Sequence, residues 1–136
     1  MPTSEGIIWK LTDLLAAGKR SEALLFAHRY VDRGGEAFGL WAVLLNMLRN
    51  ITAISISSGG GRVDQKQLAA DLQIHPFALR SLLPYAQRFK RPLLKRFLDE
   101  TVDADIALKT GAFRATDEAP QELLALIDRF ILTAPQ

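Results

Sequence analysis

Apolar positions recur at three- and four-residue intervals along most of this chain, the spacing of one face of a helix. Ile7, Ile8, Leu11, Leu14 and Leu15 form the first such run, which stops at Gly18. A second helix is predicted from a Ser21 cap to about Asp32, with Leu24, Ala27, Tyr30 and Val31 inward. Gly34-Gly35 ends it, because glycine takes left-handed backbone angles without strain. From about Glu36 to Ser57, Leu40, Trp41, Leu44, Leu45, Leu48 and Ile51 fill a wide stripe. That segment is apolar nearly all round, which predicts a helix at the centre of the fold.

Ser58-Gly59-Gly60-Gly61 then breaks the pattern and predicts a surface loop. Asp64 followed by Gln67 has the form of a capping box opening a short helix through Leu72. Pro76 suits the first turn of the next helix, predicted to run towards Arg88 with a kink at Pro84. Pro92 starts a long helix with Leu94, Phe97, Leu98, Val102 and Leu108 inward and a stop at Gly111. Pro120 sits early in a last helix carrying Leu123, Leu124, Ile127, Phe130 and Ile131. The expected fold is all-α: one domain over residues 1–136, an antiparallel bundle of about seven helices with no strand. No fixed-period repeat or sustained heptad register is present, which excludes a solenoid and a long coiled coil.

Composition agrees with a single globular domain: 136 residues, 49% of them apolar and 24% charged. The chain has no cysteine, so disulfides, thiolate metal sites and cysteine nucleophiles are excluded, and a cytoplasmic location is expected. Met1 to Glu5 lack the features of a secretory signal, and no targeting segment is visible. The stretch from Ala37 to Ile56 has the length of a membrane span, but Asn46, Arg49 and Asn50 near its middle favour a core helix over a membrane one. Net charge is +2 but uneven: residues 72–98 carry six basic side chains and no acidic one, whereas residues 99–136 carry three basic and eight acidic. Such polarity steers partners without dictating a fold.

Candidate chemistry is sparse. The two histidines, His28 on a helix and His75 before a proline, have neither a nucleophile at hand nor paired-ligand spacing, so no catalytic residue, cofactor site or metal site is assigned. Asp99 and Asp103 share a helix face but read as solvated carboxylates, and Asp105 with Lys109 as a helix-supporting ion pair. The triple glycine lacks the lysine and hydroxyl of a phosphate loop, so nucleotide hydrolysis is not expected. Residues 67–89 have the outline of a helix-turn-helix, with Arg80, Arg88, Lys90, Arg91, Lys95 and Arg96 as candidate phosphate contacts. The would-be recognition helix opens Pro76-Phe77-Ala78-Leu79, with only Arg80 and Ser81 as early base readers, so a DNA-binding module using residues 80–96 stands as the alternative function.

The same residues carry a resemblance. Ile74-His75-Pro76-Phe77, then Arg80, then Ala104-Asp105-Ile106-Ala107-Leu108-Lys109-Thr110-Gly111 resemble, in order and spacing, motifs of the C-terminal domain of the delta subunit of the bacterial DNA polymerase III clamp loader. Leu11 to Gly18, Leu44 to Arg49 and Glu122-Leu123-Leu124 resemble its opening and closing helices, so the likeness covers nearly the whole chain. The triple glycine and Pro84 depart from the pattern.

The resemblance implies a collar domain, a non-catalytic helical bundle that joins the bundles of gamma/tau and delta-prime type subunits in a closed ring during DNA replication. It implies two preceding AAA+ domains, absent from these 136 residues, through which the sliding clamp and DNA are met. The chain is accordingly expected to be a fragment or a truncated relative. The delta subunit of that family is not an ATPase, and the parent holoenzyme is a DNA-directed DNA polymerase. His75, Pro76, Phe77, Arg80, Arg88, Asp105, Lys109 and Gly111 are the motif residues carried over as candidate interface positions. For Phe77, burial in the core is the competing expectation.

Overall fold

The computed structural model of the chain describes residues 4–58, 64–88, 90–111 and 121–134, with side chains from Lys10 onward except that of Ser58. Seven helices and no strand are found among the described residues: α1 (Ser4–Ala16), α2 (Arg20–Asp32), α3 (Ala37–Ser58), α4 (Gln65–Leu72), α5 (Pro76–Arg88), α6 (Arg91–Lys109) and α7 (Gln121–Thr133). The fold is all-α, as the periodicity predicts. Ser58, expected in the loop, is instead the last residue of α3, and the rest of that loop, Gly59–Gly61, lies outside the described residues, as do Pro120 and the side chains of Ile7 and Ile8.

The predicted stops at glycine take one form. Gly18 and Gly34 adopt φ of +76° and +91°. After α1, Gly18 N–H donates to Leu15 O and Lys19 N–H to Leu14 O; after α2, Gly34 N–H donates to Val31 O and Gly35 N–H to Tyr30 O. These paired bonds satisfy carbonyls that a helix end leaves open. At Gly35 a Cβ would collide with the Tyr30 ring, so any other residue there would displace that side chain. The end of α4 repeats the device without glycine: Gln73 sits at φ +54°, and Ile74 N–H donates to Ala69 O. Burial of Ile74 and Ala69 holds that strained turn closed.

Three expectations change at this level. Ser21 does not cap α2. The helix starts at Arg20 after a Lys19 N-cap that makes no side-chain cap bond, and Ser21 is an exposed position inside it. Ala23 N–H already donates to Lys19 O, and the Arg20 side chain is drawn to the carbonyl of Ala134 at 2.6 Å, so tertiary contact decides the boundary. The capping box of α4 is half formed. Gln67 N–H donates to Asp64 Oδ1 at 3.2 Å, but the Gln67 side chain donates forward to Asp71 Oδ1 at 2.8 Å. Val102 is exposed, because the inward seam of α6 passes through Leu94, Phe97 and Thr101, with the Thr101 hydroxyl donating to Phe97 O at 2.7 Å.

Around α3 the other helices form a bundle. It packs against α4, α5, α6 and α7, while α1 packs on α2 and α5, and α2 also meets α7. By length and composition α3 could cross a membrane, yet its Leu40, Leu44, Met47, Leu48, Ile51 and Ile54 are all buried against protein. Leu11, Leu79, Leu82, Leu123, Ile127 and Ile131 complete a core that is one connected cluster. Helix α5 runs through Pro84 without interruption. Pro84 is exposed, as is Arg80, the residue whose carbonyl loses a donor to the proline ring.

Candidate functional site

The backbone turn between α4 and α5 sets the first motif cluster. His75 precedes Pro76, which contributes no N–H and suits the start of α5. His75 Nδ1 accepts from Phe77 N–H at 3.2 Å, and its carbonyl accepts from Leu79 N–H at 3.0 Å, so the histidine caps the helix from side chain and backbone together. Its ring stacks on that of Phe77 with centroids 5.5 Å apart and 12° between planes. From one turn on, the Arg80 guanidinium lies over the same ring at 5.5 Å. Phe77 is 61% exposed and therefore not a core residue. The cluster is an exposed aromatic braced on both sides.

Arg88 does a different job. Its guanidinium donates to the carbonyl of Ala16 at 2.5 Å and lies 5.4 Å from the Tyr85 ring. Arg20 does the same beyond α7, at Ala134 O. Two cations thus sit at two helix C-termini, where both unpaired carbonyls and the helix dipole favour positive charge. Burial pushes the Tyr85 phenol up to about 12, against the opposing pull of Arg88 and Arg20.

The motif at the end of α6 is structural too. Asp105 pairs with Lys109 at 2.8 Å, as its spacing predicts, but its other oxygen accepts from the Trp41 indole at 3.0 Å and so ties α6 to α3. Trp41 meets Phe130 edge-on at 6.3 Å, and Phe130 meets Phe97 at 4.8 Å, which joins α3, α6 and α7. A recess of about 20 Å³ beside these rings has room for roughly one water. Gly111, at φ +83°, follows the last turn of α6. Sequence spacing gives no sign of the indole bond, nor of His28 Nε2 meeting Asp128 Oδ1 at 2.7 Å between α2 and α7.

Asp99 and Asp103 are exposed on α6, and among the described residues no group of three or more His, Asp or Glu converges to hold a metal. The helix-turn-helix alternative gains little. Helix α5 buries Leu79, Leu82, Leu83, Tyr85 and Ala86 against α1, α3 and α4, and two of its basic residues are engaged, Arg80 over Phe77 and Arg88 at Ala16.

Motif residues from both clusters therefore fall in one bundle, and a family model for the DNA polymerase III delta subunit, C-terminal domain, matches residues 5–126. The chain belongs to that family. It is 26% identical over 104 residues to DNA polymerase III subunit delta of Bacillus subtilis, covering 76% of this chain and 30% of that protein. The solved structure of the Bacillus subtilis DNA clamp loader delta protein shares its fold, with a TM-score of 0.72 at 21% identity over 97% of this chain and 36% of that one. The chain thus spans about a third of the length of these relatives. As the C-terminal domain of a delta subunit, it is non-catalytic.

Two outcomes follow for the joints of the delta domain. Asp105→Ala leaves the Trp41 N–H unpaired and should lower unfolding free energy by about 1–3 kcal/mol. Lys109→Ala, removing an exposed partner, should cost no more than about 0.5 kcal/mol, both measured by urea denaturation. Tyr85 should titrate near 12 in a Tyr30→Phe background followed by ultraviolet absorbance. Its folded value lies above the unfolded value of about 10, so the neutral phenol contributes stability that is present below pH ~10 and lost as pH rises through ~12. Tyr85→Phe should flatten that alkaline loss.

Proposed function

We propose that this domain is the assembly, or collar, domain of a clamp loader delta subunit. It joins the helical bundles of sibling subunits, of gamma/tau and delta-prime type, in a ring that loads the sliding clamp during DNA replication in the cytoplasm. Its own contribution is rigid placement of the AAA+ domains of the delta subunit, through which clamp and DNA are reached. Catalysis of nucleotide hydrolysis and of DNA synthesis belongs to other chains.

The observation that carries this role is Phe77. It lies in a segment matched by the family, is 61% exposed, and is held by His75 and Arg80 instead of by the core. A large aromatic pre-ordered on the surface loses little entropy when a partner covers it, which is the property of interface anchors. Arginine beside it is likewise enriched at such contacts. A DNA-reading role draws less support, since the base-facing first turn of α5 presents proline, phenylalanine and alanine.

The purified chain, mixed with the other clamp loader subunits of the same genome, is expected to co-elute with them in size-exclusion chromatography. Phe77→Ala should weaken that association by about tenfold or more with little change in melting temperature, since Phe77 is 61% exposed and lies outside the buried core. Separate elution of the unaltered chain would overturn the assembly role, and undiminished binding by Phe77→Ala would remove the corner from the contact.

A further inference from the structure

A subunit inside a ring meets neighbours through two different faces, and the Phe77 corner supplies one. Helix α3 offers the other. Its buried side faces α4–α7, but its outward side carries Phe38, Ala42, Leu45, Asn46, Arg49, Ala53 and Ile56 at helical spacing, with Asn46 an exposed uncharged polar residue among apolar neighbours. Phe38 and Ile56 are 38% and 69% exposed, Ala42 is exposed, and Leu45 and Ala53 are half-buried. The row runs from position 38 to position 56, about 27 Å at 1.5 Å per residue.

Charge is what sets this face apart. Arg49 is the one charged residue among the 22 of α3, whereas outward faces of helices in soluble domains normally carry charges of both signs. Depletion of charge with retention of arginine is the composition of an interface core. Arg49 is exposed and forms no ion pair among the described residues.

The position of Arg49 decides the occupant. A two-fold pairing of two copies that covered the whole row would be antiparallel about position 47. It would bring the two Arg49 side chains within about 6 Å along the axis, well inside one Debye length. Like charges at that spacing in a covered face oppose a second copy. An apolar helix from a different chain, with a carboxylate at mid-length, satisfies both the row and its cation.

We propose that the outward face of α3 docks a helix of a neighbouring clamp loader subunit, an apolar stripe bearing an Asp or Glu opposite Arg49. This rests on the assembly role proposed above. The test uses the 136-residue chain and sibling subunits of the same genome, with binding by titration and self-association by sedimentation velocity. Ala42→Glu and Ile56→Glu, both at exposed positions, should each weaken binding at least tenfold with circular dichroism and melting temperature unchanged. Arg49→Glu should weaken it more than Arg49→Ala, because it sets two carboxylates together. Ile106→Glu, on the exposed side of α6, should bind as the unaltered chain does.

If the unaltered chain binds, Phe77→Ala weakens it and the α3 variants do not, the docking face is overturned while the assembly role stands. If the unaltered chain does not bind at all, both fall. A homodimer that Ala42→Glu dissolves would assign the face to a second copy and overturn the choice of partner.

Discussion

Helix α3 constrains everything else. Twenty-two residues with a single charge have to be removed from water on most sides, and Leu40, Leu44, Met47, Leu48, Ile51 and Ile54 are all buried. Helices α4, α5, α6 and α7 are placed by that requirement, and α1 and α2 close over the free sides of α5 and α7. A central helix so apolar also leaves whatever it does not bury as an apolar surface, which links the packing of the domain to its proposed use.

Polar groups set the angles at which the helices meet. The Trp41–Asp105 bond ties α3 to α6, while Arg20 at Ala134 O and Arg88 at Ala16 O tie α2 to the end of α7 and α5 to the end of α1. The Trp41–Asp105 and Arg20–Ala134 bonds are part-buried and satisfy groups that burial would otherwise leave costly, and all three bonds involve partners far apart in the chain. These bonds add directional constraints to the packing of the core. A rigid bundle of this kind suits a part that positions other domains.

What the sequence makes legible follows the range of the interactions. Helix number, the central place of α3 and the stops at Gly18 and Gly34 are local or periodic, and all are visible in residue spacing. The Gln73 stop carries no such signal, because a left-handed glutamine is held by burial of Ile74 across the turn. Ser21 has the chemistry of a cap but lies inside the helix, which starts one position earlier at Arg20, whose side-chain partner is over a hundred residues away. Val102 looks inward by composition, and one position earlier Thr101 takes the seam because its hydroxyl is satisfied within its own helix. At the candidate site, the motif residues are legible by resemblance, but their division of labour is not. Phe77 and Arg80 are on the surface, whereas Arg88 and Asp105 hold helices together, a distinction that depends on tertiary distances.

In the proposed role, a non-catalytic domain of the delta family acts by having particular side chains covered by sibling subunits. Hydroxyl-radical footprinting reads that coverage directly, residue by residue, on the free chain and on its mixture with those subunits. Protection is predicted at Phe77, Phe38 and Ile56, with Ile106 labelled equally in both samples. Equal labelling of Phe77, Phe38 and Ile56 with and without the siblings would contradict it.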